Sequence, residues 1–359
     1  MKIGIIGLQN SGKTTIFNAL TKSEAEVTSY SSNRIEPNLA IVDVEDERVT
    51  RLSEMYQPKK TTYATVEFID FAGLASGSAK NGLFSGEAMG LIKTVDALAV
   101  VVRNFSEETI DAVLGPPDPE RDLAVLEEEL IFSDLMIVEK RLERIQADKD
   151  RGKKTADLVT EEKLLGKIHP HLEELTPLRE MELTEDERKL IHGFQFLSLK
   201  PSLVVINSDD GNYGSNGDLV ERIGKSFPVI EFAGKFEMEL SVLDEDEAQA
   251  FMADLGIEES ARVRLIQSAY KLLGYISFFT VGEDEVRAWT ITEGTNAVNA
   301  AGEIHSDLQR GFIRAECFSW EDLLSLGTEK ALKAKGLLRL EGKEYIVKDG
   351  DILNIRFST

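Results

Sequence analysis

One octapeptide near the start of the chain, Gly7-Leu8-Gln9-Asn10-Ser11-Gly12-Lys13-Thr14, limits the possible folds more than any other stretch. It satisfies every fixed position of G-x-x-x-x-G-K-[ST]. Residues 2–7 before it are a short β-rich apolar run, and residues 13–20 after it have helical spacing, so the segment is predicted as strand, loop, helix. In that setting the glycines let the backbone curl with successive N–H groups pointing inward, and the helix start adds the positive end of its dipole. Such a loop holds phosphates. Lys13 is placed to neutralise the β- and γ-phosphates, Thr14 to bind Mg²⁺ through its hydroxyl, and Thr15 continues the first helical turn.

Two further signals lie downstream at the ends of predicted strands. Residues 65–71 form a strand that runs into Asp70-Phe71-Ala72-Gly73, a D-x-x-G pattern. After a phosphate loop, that pattern lets Asp70 hold the Mg²⁺ shell while the Gly73 N–H reports the γ-phosphate. The strand 203–206 ends in Asn207-Ser208-Asp209-Asp210, where GTPases carry N-K-x-D and the Asp accepts two hydrogen bonds from guanine. Asn207 and Asp210 keep that spacing, but Ser208 replaces the lysine, and an ordinary Asn/Asp turn has the same composition.

The rest of the chain is organised around these strands. At 359 residues it exceeds one ordinary core and suggests two or three domains, by the rule of ~100–200 residues each. The strand 97–102 is apolar throughout, as expected of a strand covered on both faces. From 118 to 149 and from 158 to 175, apolar residues recur at spacings of three, four and seven, separated by the polar stretch 149–154; this predicts an antiparallel helical hairpin. Thr184-x-x-Glu187 is a capping box for a further helix. Strands at 201–206 and 228–232, with helices around 240–255 and 262–273, complete an α/β sheet into which 118–199 is inserted. From 276 onward, β-rich pieces at 276–281, 286–291, 312–318, 345–347 and 352–357 surround one helical piece at 297–308, a small α+β module. The predicted domains are therefore 1–275, interrupted by 118–199, and 276–359.

Charge and cysteine usage exclude several classes. Sixty-four acidic residues against 41 basic ones leave a net charge of -23, which repels nucleic-acid backbones and argues against sequence-specific DNA binding. The stretch 149–154 and Arg310, Arg314, Lys330, Lys333, Lys335, Arg339 and Lys343 give local positive charge on this acidic chain. No run reaches the ~18 apolar residues of a membrane span. The opening residues pass directly into a strand, which disfavours a signal peptide, and the single cysteine, Cys317, cannot form an internal disulfide. A cytoplasmic location is expected.

Motifs spread from one end of the chain to the other resemble the YchF family of Obg-related GTPases. They are Gly7 to Thr14, Ile35-Glu36-Pro37-Asn38, Asp46-Glu47-Arg48, Asp70-Phe71-Ala72-Gly73-Leu74, Leu199-Lys200-Pro201, Val286-Arg287-Ala288-Trp289-Thr290-Ile291, Gly311-Phe312-Ile313-Arg314-Ala315 and the run from Glu341 to Asp351. The resemblance implies a P-loop G domain, an inserted helical hairpin, and a C-terminal TGS domain with the ubiquitin-like β-grasp fold. It also implies the ribosome as partner and, in many members, a preference for ATP where Glu replaces the guanine-reading Asp. Asp210 stands at that position here, so the base, GTP or ATP, stays open. Leu74 occupies the place of the glutamine that orients the attacking water in Ras-like enzymes, and a leucine cannot hydrogen-bond water, so slow intrinsic hydrolysis is expected. Asn10 matches a P-loop asparagine with which related GTPases hold K⁺.

Arg34 departs from the family's threonine before Ile35. Three outcomes are open: Ser31 or Ser32 takes over Mg²⁺ binding, Arg34 reaches the γ-phosphate as a finger in cis, or Arg34 is a solvated arginine in a loosened loop. Leu74 and Arg34 together keep a second function in view, a nucleotide-sensing adaptor that binds the triphosphate and hardly hydrolyses it.

Overall fold

Seven consecutive residues from Ala97 to Arg103 are buried, with no polar alternation, so this strand must be covered on both faces by other elements. In the computed structural model, which describes residues 2–21, 37–71, 86–254, 257 and 259–358, it is a central strand of a six-stranded sheet. In chain order the strands are β1 (Lys2–Gly7), β2 (Asn38–Val44), β3 (Lys60–Thr62), β4 (Ala64–Asp70), β5 (Ala97–Asn104), β6 (Ser202–Ser208), β7 (Val229–Phe232), β8 (Tyr275–Thr280), β9 (Glu285–Thr292), β10 (Phe312–Ser319), β11 (Arg339–Glu341) and β12 (Asp351–Phe357). The first sheet has the order β2-β4-β1-β5-β6-β7, and the pairs from β4 through β7 are parallel. Parallel pairing gathers the carboxyl ends of these strands on one edge, where α/β sheets bind their ligands.

The predicted hairpin forms from helices Pro119–Asp150 and Ala156–Glu173. Asp118 and Thr155 cap their first turns by accepting the N–H groups of Arg121 and Leu158. Leu123, Leu126 and Leu130 of the first helix pack on Val100, Val102 and Val204 of the sheet. Further along the same helix, Val138 and Ile145 pack with Leu164, Leu165, Ile168 and Leu172. Each such side chain contributes roughly 1.5–3 kcal/mol by leaving water. One helix thus joins two cores. Asp134 sits at their junction, fully buried, and accepts from the Leu197 N–H at 2.8 Å and from the Ser198 N–H and hydroxyl at 2.7 Å. The capping box of Thr184 and Glu187 is present as predicted.

The chain falls into two compact units, Met1–Ala40 with Glu67–Arg262 and Ile41–Val66 with Val263–Thr359. In the second unit β8 and β12 run parallel at the centre, flanked by β9 and β10, each antiparallel to its inner neighbour. Ala297, Ala300 and Ala301 of helix Ala297–Ile304 pack into the same core as Phe278, Ile291 and Leu353. This is a β-grasp arrangement, as the tail motifs imply. The segment 41–66, read from sequence only as part of the first 275 residues, contributes β3, which pairs parallel with β9 as an edge strand. Its helix, Glu47–Tyr56, carries Arg48, whose guanidinium bonds Asp46 and Asp349 and lies 5.0 Å over the Phe279 ring.

Some expected elements differ. Residues 345–347 form no strand; Ile346 makes an isolated bridge to Asn296, because the Tyr345 carbonyl there accepts the Ala297 N–H at the start of helix Ala297–Ile304. The helical piece at 297–308 is two helices, Ala297–Ile304 and Ser306–Arg310, since extended His305 ends the first and accepts the Asp307 N–H to begin the second. The stretch around 240–255 divides likewise into Gly234–Val242 and Glu245–Asp254, the second capped by Asp244.

Burial pushes the Asp134 carboxyl up to about 6 from 3.8, despite its three donors. The folded chain therefore keeps a proton that the unfolded chain releases, and this group weakens folding as pH rises from about 4 to about 6. Replacing Asp134 by Ala should cost about 3 kcal/mol, since three buried donors lose their acceptor, and should flatten that pH slope in urea titrations. Arg48→Ala should lower the stability of the second unit by about 1–3 kcal/mol, read from proteolysis of the C-terminal stretch against the intact hairpin.

Candidate functional site

The phosphate loop begins where β1 ends. A Cβ on Gly7 would lie 2.5 Å from the Val101 carbonyl oxygen, and one on Gly12 would lie 2.1 Å from Asn207 Nδ2, at a φ of +89° that already favours glycine. Asn10 adopts a left-handed φ of 60°, which an asparagine tolerates better than most residues. Lys13 to Thr21 then forms the helix, whose first-turn N–H groups have no intrahelical acceptor.

Lys13 is half-buried, and its ammonium donates to the carbonyls of Gly7 at 2.9 Å and Leu8 at 2.7 Å. Burial lowers its pKa to about 8, an effect that Asp70 partly offsets. The Thr14 hydroxyl donates to Asp70 Oδ2 at 2.9 Å, and Asn38 Nδ2 approaches the same oxygen at 3.5 Å. Asp70 is wholly buried, and burial raises its carboxyl. Its Oδ1 has no hydrogen-bond partner among the described residues, and neither has the Ser11 hydroxyl. A buried carboxylate oxygen left open beside a threonine hydroxyl is an oxygen donor set suited to a hard divalent cation, so these residues fit Mg²⁺.

Asn207 occupies the end of β6 and ties two loops together. Its Nδ2 donates to the Ser11 carbonyl at 3.0 Å, and its Oδ1 accepts the Gly234 N–H at 3.2 Å. A Cβ on Gly234 would meet Asn207 and the methyl of half-buried Thr15. Ser208 points elsewhere: it is buried and donates to Glu231 Oε1 at 2.7 Å. Asp210 lies exposed in the following turn, while Asp209 accepts the Ser106 N–H at 3.0 Å. Arg34, Ser31, Ser32, Gly73 and Leu74 lie outside the described residues.

Lys13, Thr14, Asp70, Ser11 and Asn207 are therefore brought together, whereas Ser208 is bonded to Glu231 and Asp210 lies exposed in the turn after β6. Motif reading missed Glu231, Gly234 and Phe105, whose ring edge lies 3.7 Å from a Cβ placed on Gly12. Phe105 and Gly234 follow the ends of parallel strands, a positional signal available only once β5 and β7 are aligned beside β6. Among the basic residues, Lys149 and Lys153 pair with Glu162 and Asp148, and Arg310 and Arg339 with Asp307 and Glu341. Lys154, Arg314, Lys330, Lys333, Lys335 and Lys343 carry no ion pair among the described residues. None of the described helices is long and apolar enough to cross a membrane.

A phosphate loop at the carboxyl edge of a parallel sheet, with Asp70 and Asn207 at the ends of β4 and β6 on the same edge, defines a P-loop nucleoside triphosphatase of the GTPase fold. Residues 2–136 match a family described as a 50S ribosome-binding GTPase, and residues 275–358 match the YchF GTPase C-terminal family, described as a protein of unknown function. The chain is 41% identical to the ribosome-binding ATPase YchF of Bacillus subtilis, covering 99% of this chain and 98% of that one. It is 38% identical to the protein of the same name from Escherichia coli O157:H7, over 99% of each. The solved structure of the Schizosaccharomyces pombe YchF GTPase superposes with a TM-score of 0.86 at 33% identity, over 99% of this chain and 97% of that one. The chain belongs to the YchF family.

Asn207→Ala should cost about 1–3 kcal/mol, because it leaves the buried Ser11 carbonyl and Gly234 N–H unpaired. Hydrogen exchange should quicken at Gly234 and in the phosphate loop, with β5 unaffected.

Proposed function

We propose that the chain is a Mg²⁺-dependent purine nucleoside triphosphatase, converting GTP or ATP to the diphosphate and phosphate, whose nucleotide state controls its association with the ribosome. The observation that carries this reading is the convergence of Lys13, Thr14 and the open oxygen of Asp70 at the head of one helix. In it, the Lys13 ammonium exchanges the Gly7 and Leu8 carbonyls for β- and γ-phosphate oxygens. The loop amides from Asn10 to Thr15 surround the phosphates, with Gly7 and Gly12 allowing their approach. Thr14 and Asp70 hold Mg²⁺, which when bound neutralises charge on the β- and γ-oxygens. Water attacks the γ-phosphorus as the bond from that phosphorus to the β–γ bridging oxygen breaks; charge develops on that oxygen beside Lys13, and the water's proton passes to the released phosphate.

The remaining assignments follow from the sequence. Gly73 senses the γ-phosphate. Leu74 offers no hydrogen bond to the attacking water, so turnover is slow without a partner, and K⁺ held by Asn10 supplies part of the missing charge. Arg34 is either a solvated side chain or a finger in cis, and Ser31 or Ser32 is the alternative Mg²⁺ ligand of that stretch. Asn207, Ser208 and Asp210 form the base-reading corner, with Asp210 facing the purine edge and Ser208 holding the corner through its bond to Glu231. The functional division is a nucleotide domain over 1–275 with the hairpin 118–199 inserted, and a TGS segment over 276–359. The names of the relatives, and the unpaired lysines of the C-terminal stretch, support a ribosomal partner in the cytoplasm.

Lys13→Ala should weaken binding of Mg²⁺–ATP and Mg²⁺–GTP by about 100-fold or more, measured by calorimetry. Unchanged affinity would sink the reading. Phosphate release should rise when ribosomes are added, more in K⁺ than in Na⁺. Tight binding without turnover under all four conditions would instead establish the nucleotide-sensing adaptor.

A further inference from the structure

Glu231 lies on β7 and is untouched by the chemistry above, yet its carboxylate collects donors from the last residue of β6 and from two points of the segment that follows it. Oε1 accepts from the Ser208 hydroxyl at 2.7 Å and from Asn216 Nδ2 at 2.5 Å, and Oε2 accepts the Gly214 N–H at 3.1 Å. The Ser208 hydroxyl is itself held in the donating sense, because Asn104 Nδ2 donates to it at 3.0 Å. Asn216 also donates to the Asn212 carbonyl at 2.8 Å, and the N–H groups of Asn212 and Tyr213 return to the Asp209 carbonyl.

The turn from 209 to 216 is therefore pinned at its start, middle and end by one acceptor-only group on the neighbouring strand. A carboxylate is suited to this task, since it accepts on both oxygens and offers no competing donor. Asp210 is exposed in the turn so pinned, and its carboxylate makes no hydrogen bond within the described residues. Ser208, standing where a lysine would cover the base, is what directs this corner onto Glu231. The same hydroxyl could not serve both the base and the carboxylate with its single proton.

We infer that Glu231 is the positioning residue for base recognition: it fixes the 209–216 turn so that Asp210 meets the donor edge of a purine, while leaving the phosphate loop unaffected. This rests on the phosphate-loop reading, but concerns only the part of affinity that depends on the base. The phosphates are held from β1 and its helix, whereas the Glu231 carboxylate is bonded by Ser208, the last residue of β6, and by the turn that follows it.

The test measures binding of Mg²⁺–ATP, Mg²⁺–GTP and inorganic tripolyphosphate to the full chain, as wild type, Glu231→Ala and Glu231→Gln. Wild type should discriminate between the two nucleotides. Glu231→Ala should weaken the better-bound one by about tenfold and bring the two affinities together, with tripolyphosphate unchanged within about twofold. Glu231→Gln keeps an acceptor for Ser208 and should retain most of the discrimination, which also covers the case of an alanine variant that does not fold. The inference is overturned if the ratio of affinities in Glu231→Ala equals that of wild type, if wild type has no preference, or if tripolyphosphate weakens in parallel with the nucleotides. A wild-type chain that binds neither nucleotides nor tripolyphosphate overturns the phosphate-loop reading, and this inference with it.

Discussion

The hydrogen bond from Thr14 to Asp70 links residues 56 positions apart, and it exists only because β4 lies directly beside β1. The register places Ile5 opposite Asp70, so the carboxylate emerges one strand away from the loop that follows Gly7. Parallel pairing sends both strand ends to the same edge. Burial then gives the pair its character: removed from water, the carboxylate is pushed towards its neutral form and the lysine towards its own. Groups whose charged forms are disfavoured in this way gain from a ligand that brings compensating charge of its own.

Asn207 extends the same logic across the sheet. It bonds the Ser11 carbonyl on one side and the Gly234 N–H on the other, so the loops following β1, β6 and β7 behave as one assembly. The absence of a side chain at Gly12 is what admits Asn207 to that place. A glycine that motif reading assigns to phosphate approach therefore also makes room for a protein side chain. Asp134 does comparable work at the far end of the sheet, joining the inserted hairpin to the loop that leads into β6. Both are polar groups buried at junctions, where each satisfies backbone atoms that would otherwise lack partners.

Much of this was legible without coordinates, for identifiable reasons. The phosphate loop is contiguous, and its glycines have few alternative uses between a strand and a helix. The hairpin was readable because helices that pack along their length repeat apolar residues every three or four positions, as at Leu164, Leu165, Ile168 and Leu172. The β-rich tail was readable as a class, but residues 345–347 carried strand-forming side chains and yet pair through Ile346 alone. Strand propensity there gave way to the tertiary need to cap the helix that starts at Ala297.

Local sequence by itself determined the loop that begins at Gly7, the helices capped by Asp118, Thr155 and Thr184, and the apolar strand that became β5, because each depends on side chains within a few residues of one another. Only the tertiary structure decided that Ile41–Val66 belongs with the C-terminal unit, that Ser208 serves Glu231, and that Asn207 fills the space beside Gly12. These pairings span from 23 to more than 190 residues. Their partners are chosen by strand order and register, which no short-range pattern encodes.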